Sequence, residues 1–158
     1  MHGTAWAATY KWDGGHDVLG WEEPAQAAYF AEGTTRDGFE EYLLLRNPLK
    51  AAASVTITYL FPPPAQSQVQ GIVLEPGAGA SICVNDAVGP DRDVSVIMVA
   101  QPGIIAERQV YFNYKGIWTG GHASRGVAAP SPVWYFAEGT TRTGFGSGSA
   151  YRTRGTGE

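Results

Sequence analysis

Several residues in this sequence could do chemistry by type and spacing. His16 precedes Glu32 by 16 positions, and His122 precedes Glu138 by the same interval. A histidine beside a carboxylate can move a proton or share a metal ion. Protein metal sites draw three or four ligands from the chain, and no third ligand recurs with these pairs. The pairs therefore read as hydrogen-bonded groups that fix a join. Thr34-Thr35 and Thr140-Thr141 each follow a Glu-Gly step. A nucleophilic threonine needs an adjacent base or an N-terminal amine, so these hydroxyls are expected to close turns. Asp86, Asp91 and Asp93 share one loop, but their spacing does not match an EF-hand. Calcium is the one ion the sequence leaves open. Cys83 is the single cysteine and reads as a small buried apolar residue. No catalytic, cofactor-binding or metal-binding residues are assigned, and no enzyme activity is expected.

What positions these residues is a repeat. Ala28-Tyr29-Phe30-Ala31-Glu32-Gly33-Thr34-Thr35-Arg36 returns as Trp134-Tyr135-Phe136-Ala137-Glu138-Gly139-Thr140-Thr141-Arg142, 106 positions later. Upstream, Trp12 matches Trp118, Gly14-Gly15-His16 matches Gly120-Gly121-His122, and Pro24 matches Pro130. Between positions 12 and 39, 16 of 28 residues are identical at this one ungapped offset, which chance does not produce. Solenoid and propeller units are much shorter, at about 20–50 residues, so each unit can hold its own core, like a bead on a string. The expected division is 1–27 as the tail of a preceding repeat and 28–133 as one complete repeat. Residues 134–158 are then the start of a following, truncated repeat with a flexible Gly/Ser/Thr/Arg-rich end. Identity gathers at the joins. The candidate inter-module contacts are accordingly Trp12, His16, Tyr29, Glu32, Trp118, His122, Trp134, Tyr135 and Glu138.

The body of the repeat reads as short strands. Ala28–Ala31 and Glu41–Asn47 come first, the second with a near-continuous apolar run. Ser54–Phe61 alternates Val55, Ile57, Tyr59 and Phe61 against threonines, and Pro62-Pro63-Pro64 ends it. Gln68–Leu74 and Gly79–Val84 follow, the latter closed by Asn85-Asp86. Asp93–Ala100 alternates, Gln101-Pro102-Gly103 is expected to turn the chain, and Ile104–Phe112 alternates again. No segment holds a 3.6-residue period. About seven strands with turn signals every 8–12 residues indicate an all-β fold: an immunoglobulin-like antiparallel β-sandwich, with a small β-barrel as the alternative. The Cys…Trp…Cys spacing of antibody domains is missing.

Composition limits the partners. Net charge is −4, and only 16% of residues are charged. There is no basic cluster for nucleic acid and no basic amphipathic helix or long apolar run for membrane insertion. Met1-His2-Gly3-Thr4 lacks the charged and apolar regions of a signal peptide, so the expectation is either a cytoplasmic protein or an internal fragment.

Four segments together resemble a known repeat: Trp134–Thr141, Glu40-Glu41-Tyr42-Leu43-Leu44-Leu45-Arg46-Asn47-Pro48, Ser54-Val55-Thr56-Ile57-Thr58-Tyr59, and Ile104–Tyr114 with its Glu107-Arg108…Tyr111-Phe112-Asn113-Tyr114. The similarity is to the tandem β-sandwich repeat of secreted and cell-surface proteins of actinobacteria and related bacteria, over about positions 10 to 145. Two departures stand out. The second copy lacks the Glu-Glu-Tyr-Leu strand, and the first join lacks the two residues, Gly116-Ile117, that separate Lys115 from Trp118. The resemblance implies an extracellular or cell-surface setting and no established catalysis. The expected function is a structural spacer acting through stacking or strand-mediated contact, with neighbouring repeats or identical chains as partners. The alternative is a carbohydrate- or cell-wall-binding module using Trp12, Trp118, Trp134, Tyr135 and Tyr111.

Overall fold

Residues with period-two alternation become strands whose apolar side faces one shared core. The computed structural model describes residues 16–135 and 140–143. Its strands are β1 (Ala25–Phe30), β2 (Phe39–Arg46), β3 (Ala53–Leu60), β4 (Gln68–Leu74), β5 (Gly79–Cys83), β6 (Ser95–Tyr114) and β7 (Trp118–Arg125), with one helical turn, α1 (Val84–Val88), after β5. All pairings between strands are antiparallel. On β3, Val55, Ile57 and Tyr59 are buried while Ser54 and Thr56 are exposed, as the alternation requires.

The organising strand is β6. Its first half, up to Gln101, pairs with β3, and β1 lies along its other side. Its second half, from Ile105, pairs with β2 on one side and β7 on the other. Two four-stranded layers, β4-β3-β6-β1 and β5-β2-β6-β7, thus share one strand, and the sheet curls around the core. Leu43, Ile57, Tyr59, Val84, Val96 and Met98 fill the interior. The Tyr59 hydroxyl donates to Gln70 Oε1 at 2.8 Å, which satisfies its one buried polar atom.

Four sequence expectations are corrected. Gln101-Pro102-Gly103 does not end a strand. Proline lacks an N–H, but Pro102 falls between the last β3 partner, Gln101, and the first β2 partner, Ile105. The missing donor sits where β6 changes neighbours, so β6 runs through. Gly103 is needed there, since a β-carbon would lie 2.9 Å from the Ala25 carbonyl carbon. Asn85-Asp86 does not turn the chain directly but lies in α1. The Asn85 side chain accepts from Glu41 N–H at 3.0 Å and donates to Phe39 O at 2.9 Å, tying α1 to the start of β2. Finally, residues 118–125, read only as part of a join, form β7. Its glycines and small residues carry little strand signal of their own, and the ladder to β6 holds them extended. The first strand also begins earlier than expected, at Ala25.

Candidate functional site

The inward face of the β2-β6-β7 layer carries its polar residues in register. Glu41 stands opposite Val110, which stands opposite His122; Leu43 stands opposite Arg108, which stands opposite Ser124. Glu41 and Arg108 are therefore diagonal neighbours on one face, about 7–8 Å apart at the backbone by sheet geometry. On the solvent side of this patch is an open groove of about 910 Å³. Its walls include Phe39, Phe61, Phe112 and Tyr114, with Arg108 and His122 also lining it.

Glu41 is 0% exposed and Arg108 6% exposed. Glu41 Oε2 accepts the Thr34 N–H at 3.0 Å. Among the described residues, nothing hydrogen-bonds Glu41 Oε1 or Arg108 Nε. The Arg108 guanidinium lies over the Phe30 ring, 5.9 Å from its centroid, a weak substitute for a carboxylate. Desolvation pushes the Glu41 carboxyl up to about 7, against the lowering effects of the Arg108 charge and the Thr34 N–H; Glu32 adds a smaller upward push. Gly33 closes over this carboxyl so tightly that a β-carbon there would overlap it.

The rim is held by conventional contacts. Arg36 pairs with Asp93 at 2.5 Å, both well exposed. The Thr35 hydroxyl donates to Gly89 O at 2.8 Å and accepts from Arg92 N–H at 3.0 Å, so it closes a turn. No group of three or more His, Cys, Asp or Glu that could hold a metal ion occurs among the described residues. Cys83 is half-buried and not the buried residue the sequence suggested; desolvation raises its thiol pKa, the opposite of activation. No helix among the described residues is long and apolar enough to cross a membrane.

The residues singled out in the sequence distribute as follows. Trp12 and Glu138 lie outside the described residues, as does most of the flexible end expected in 134–158. His16 meets His122 edge to face, with ring centroids 5.4 Å apart, and Glu32 lines the same groove as His122. His122 and Glu32 line one groove, while His16, which the sequence paired with Glu32, packs on His122. Trp118 is 58% exposed and stacks on Tyr114. Trp134 and Tyr135 are 48% and 93% exposed, apart from the groove. Tyr29 exchanges two backbone hydrogen bonds with Val127, at 2.9 and 3.0 Å. Glu41 and Arg108 were not singled out. The signal for both was a charge on the apolar side of an alternating strand: Phe39, Glu41, Leu43, Leu45 and Ile104, Ala106, Arg108, Val110.

The two joins converge on one point. The Trp21 indole N–H donates to Ala106 O at 3.2 Å, and the Gly126 N–H reaches the same oxygen at 3.3 Å. Arg125 donates to Gly20 O at 3.2 Å and lies over the Trp21 ring. The segment leading into β1 and the segment leaving β7 are thus docked side by side.

These features define an antiparallel, all-β protein with a curled sheet, a polar patch at its mouth and both joins at one end. Its fold is similar to that of a Thermotoga maritima protein designated 1070. The crystal structure of that protein superposes with a TM-score of 0.61 at 15% identity, covering 67% of this chain and 96% of that one. No family model matches the chain, and no curated protein matches it in sequence.

Proposed function

We propose that the chain is a structural repeat module of a bacterial extracellular or cell-surface protein, built on an immunoglobulin-like β-sandwich, and that it acts through contact between successive modules. The observation that carries this reading is the shared Ala106 carbonyl, which takes a hydrogen bond from each join. One period after Ala25, the first residue of β1, falls Ser131, so only residues 126–130 separate β7 from the start of the next repeat. Such a join, partly docked on the module, leaves neighbours little freedom. In a protein of two complete repeats, NMR relaxation should report one body tumbling about twice as slowly as a single repeat. Two modules tumbling independently would remove contact as the mode of action.

A second reading, a glycan-binding module, is favoured by the exposed Trp118 ring stacked on Tyr114 at 5.9 Å, because sugars pack on such faces. Titration with cell-wall polysaccharide, followed by tryptophan fluorescence, separates the two. A saturable change lost in Trp118→Ala supports this reading, and no change with any glycan excludes it.

A further inference from the structure

Arg108 poses a problem that the rest of the fold does not solve. A guanidinium presents five N–H donors and cannot lose its charge in a protein. Buried cations are otherwise paired or well hydrogen-bonded. Here the group is 6% exposed, lines the groove and has no hydrogen-bond partner for Nε among the described residues. The nearest buried carboxyl, Glu41, leaves one oxygen unbonded as well. A donor and a carboxyl oxygen thus stand diagonally on one face, beneath a groove walled by aromatic rings.

We infer that this groove binds an organic carboxylate carried on an apolar or aromatic body, with the carboxylate held by Arg108 and the Glu41 carboxyl lying beneath the groove. Arginine recognises carboxylates through two parallel N–H···O bonds, and a side-on approach uses Nε and one Nη. Glu41 lies beneath the groove, 0% exposed and capped by Gly33, so it acts on the bound anion through its charge and not by contact. Phe39, Phe61, Phe112 and Tyr114 supply the surface for the body of the ligand. The groove also carries Glu32, Asp37 and Asp93 beside Arg36, so what selects an acid over a hydroxyl or a neutral amide is the buried Arg108 fork and not the net charge of the lining.

The reading sets a direction with pH. Glu41 is faced by Arg108 from β6, by the Thr34 N–H and Glu32 from the segment before β2, by Asn85 from α1 and by the Tyr59 ring from β3. His122 stands in its row on β7. Loss of the Glu41 proton, half complete near pH 7, places a negative charge beneath the bound anion and beside Arg108. Affinity is therefore greatest below neutrality and falls as pH rises through 7.

The test is titration of the wild-type protein with 3-phenylpropanoate, read by the 15N resonance of Arg108 Nε. A saturable shift of that resonance is expected, weakening as pH rises through 7. The matching amide, 3-phenylpropanamide, should bind at least about tenfold more weakly. A tripeptide ending in phenylalanine with a free carboxylate tells a peptide C-terminus from a small free acid, according to which binds more tightly. Arg108→Lys keeps the charge but loses the fork and should weaken binding about tenfold with the fold retained. If that variant does not fold, the acid–amide comparison on the wild type still decides. Equal binding of the amide, an unmoved Nε resonance, or equal saturation by inorganic phosphate would each overturn the assignment.

Discussion

Glu41 is a carboxyl placed where its charged form is poorly solvated, and the consequence is a slope of stability with pH. Its ordinary value is 4.5, and burial raises it in the folded protein to about 7. Between those two values the folded state binds more protons than the unfolded chain. Stability from this group is therefore complete below about pH 4.5, is lost as pH rises through about 7, and is level above that. At roughly 1.4 kcal/mol per pH unit, the loss amounts to about 3 kcal/mol. Urea unfolding at about pH 5 and about pH 8 should show a drop of this order in wild type and little in Glu41→Gln, which removes the titration but keeps an acceptor for Thr34 N–H. A wild-type profile flat over that range would mean that water reaches the carboxyl. The inward direction of Glu41 and Arg108 could be read from strand alternation. What could not be read is that they lie on the same face of adjacent strands, because that depends on the β2–β6 register, Glu41 opposite Val110. The His–Glu pairs illustrate the same gap. Their equal spacing in sequence says nothing of space, and it is the fold-back of β7 that sets His122 in the groove with Glu32.

Strand positions were legible wherever alternation was strong, as in β3 and in both halves of β6. They were missed where the sequence is small and glycine-rich, as in β7, because there the pairing partner supplies the order. The same dependence on neighbours appears where β2 begins. Gly38 has φ +81°, and its carbonyl accepts the Asn113 N–H at 2.7 Å. A β-carbon on Gly38 would lie 2.6 Å from Asn113 O, a backbone atom that cannot rotate away. Gly77 has a similar φ of +72° but nothing within 4 Å of such a β-carbon. Gly77→Ala should therefore cost only the left-handed strain, about 1 kcal/mol. Gly38→Ala adds a clash and should cost about 2–4 kcal/mol, with loss of the Phe39 and Phe112 wall of the groove. Comparing the two variants by urea unfolding isolates the close approach. Equal losses would show that the β2–β6 join gives way easily.

The convergence of both joins on Ala106 constrains any tandem array of these modules. A bead on a string is entered at one end and left at the other, and the offset of 106 residues invited that picture. Here the chain arrives at Trp21 and departs at Gly126 beside the same carbonyl oxygen. If the repeat runs on in tandem as proposed, residues 126–130 are both the exit from this module and the equivalents of residues 20–24 leading into the next, and they span at most about 17–18 Å. A module of this length is about 33 Å across, taking a radius of gyration near 13 Å. In such an array, modules wider than that join would alternate on the two sides of the connecting thread and touch. Small-angle scattering from proteins of one, two and four repeats should then show the maximum dimension growing by no more than about 18 Å per added repeat beyond the second. Trp21→Ala should release the incoming segment of the first module alone, since Val127 stands at the equivalent position one period on. Growth of about 33 Å or more per repeat in the wild type would mean that the joins detach when modules are linked, and the in-line string would stand.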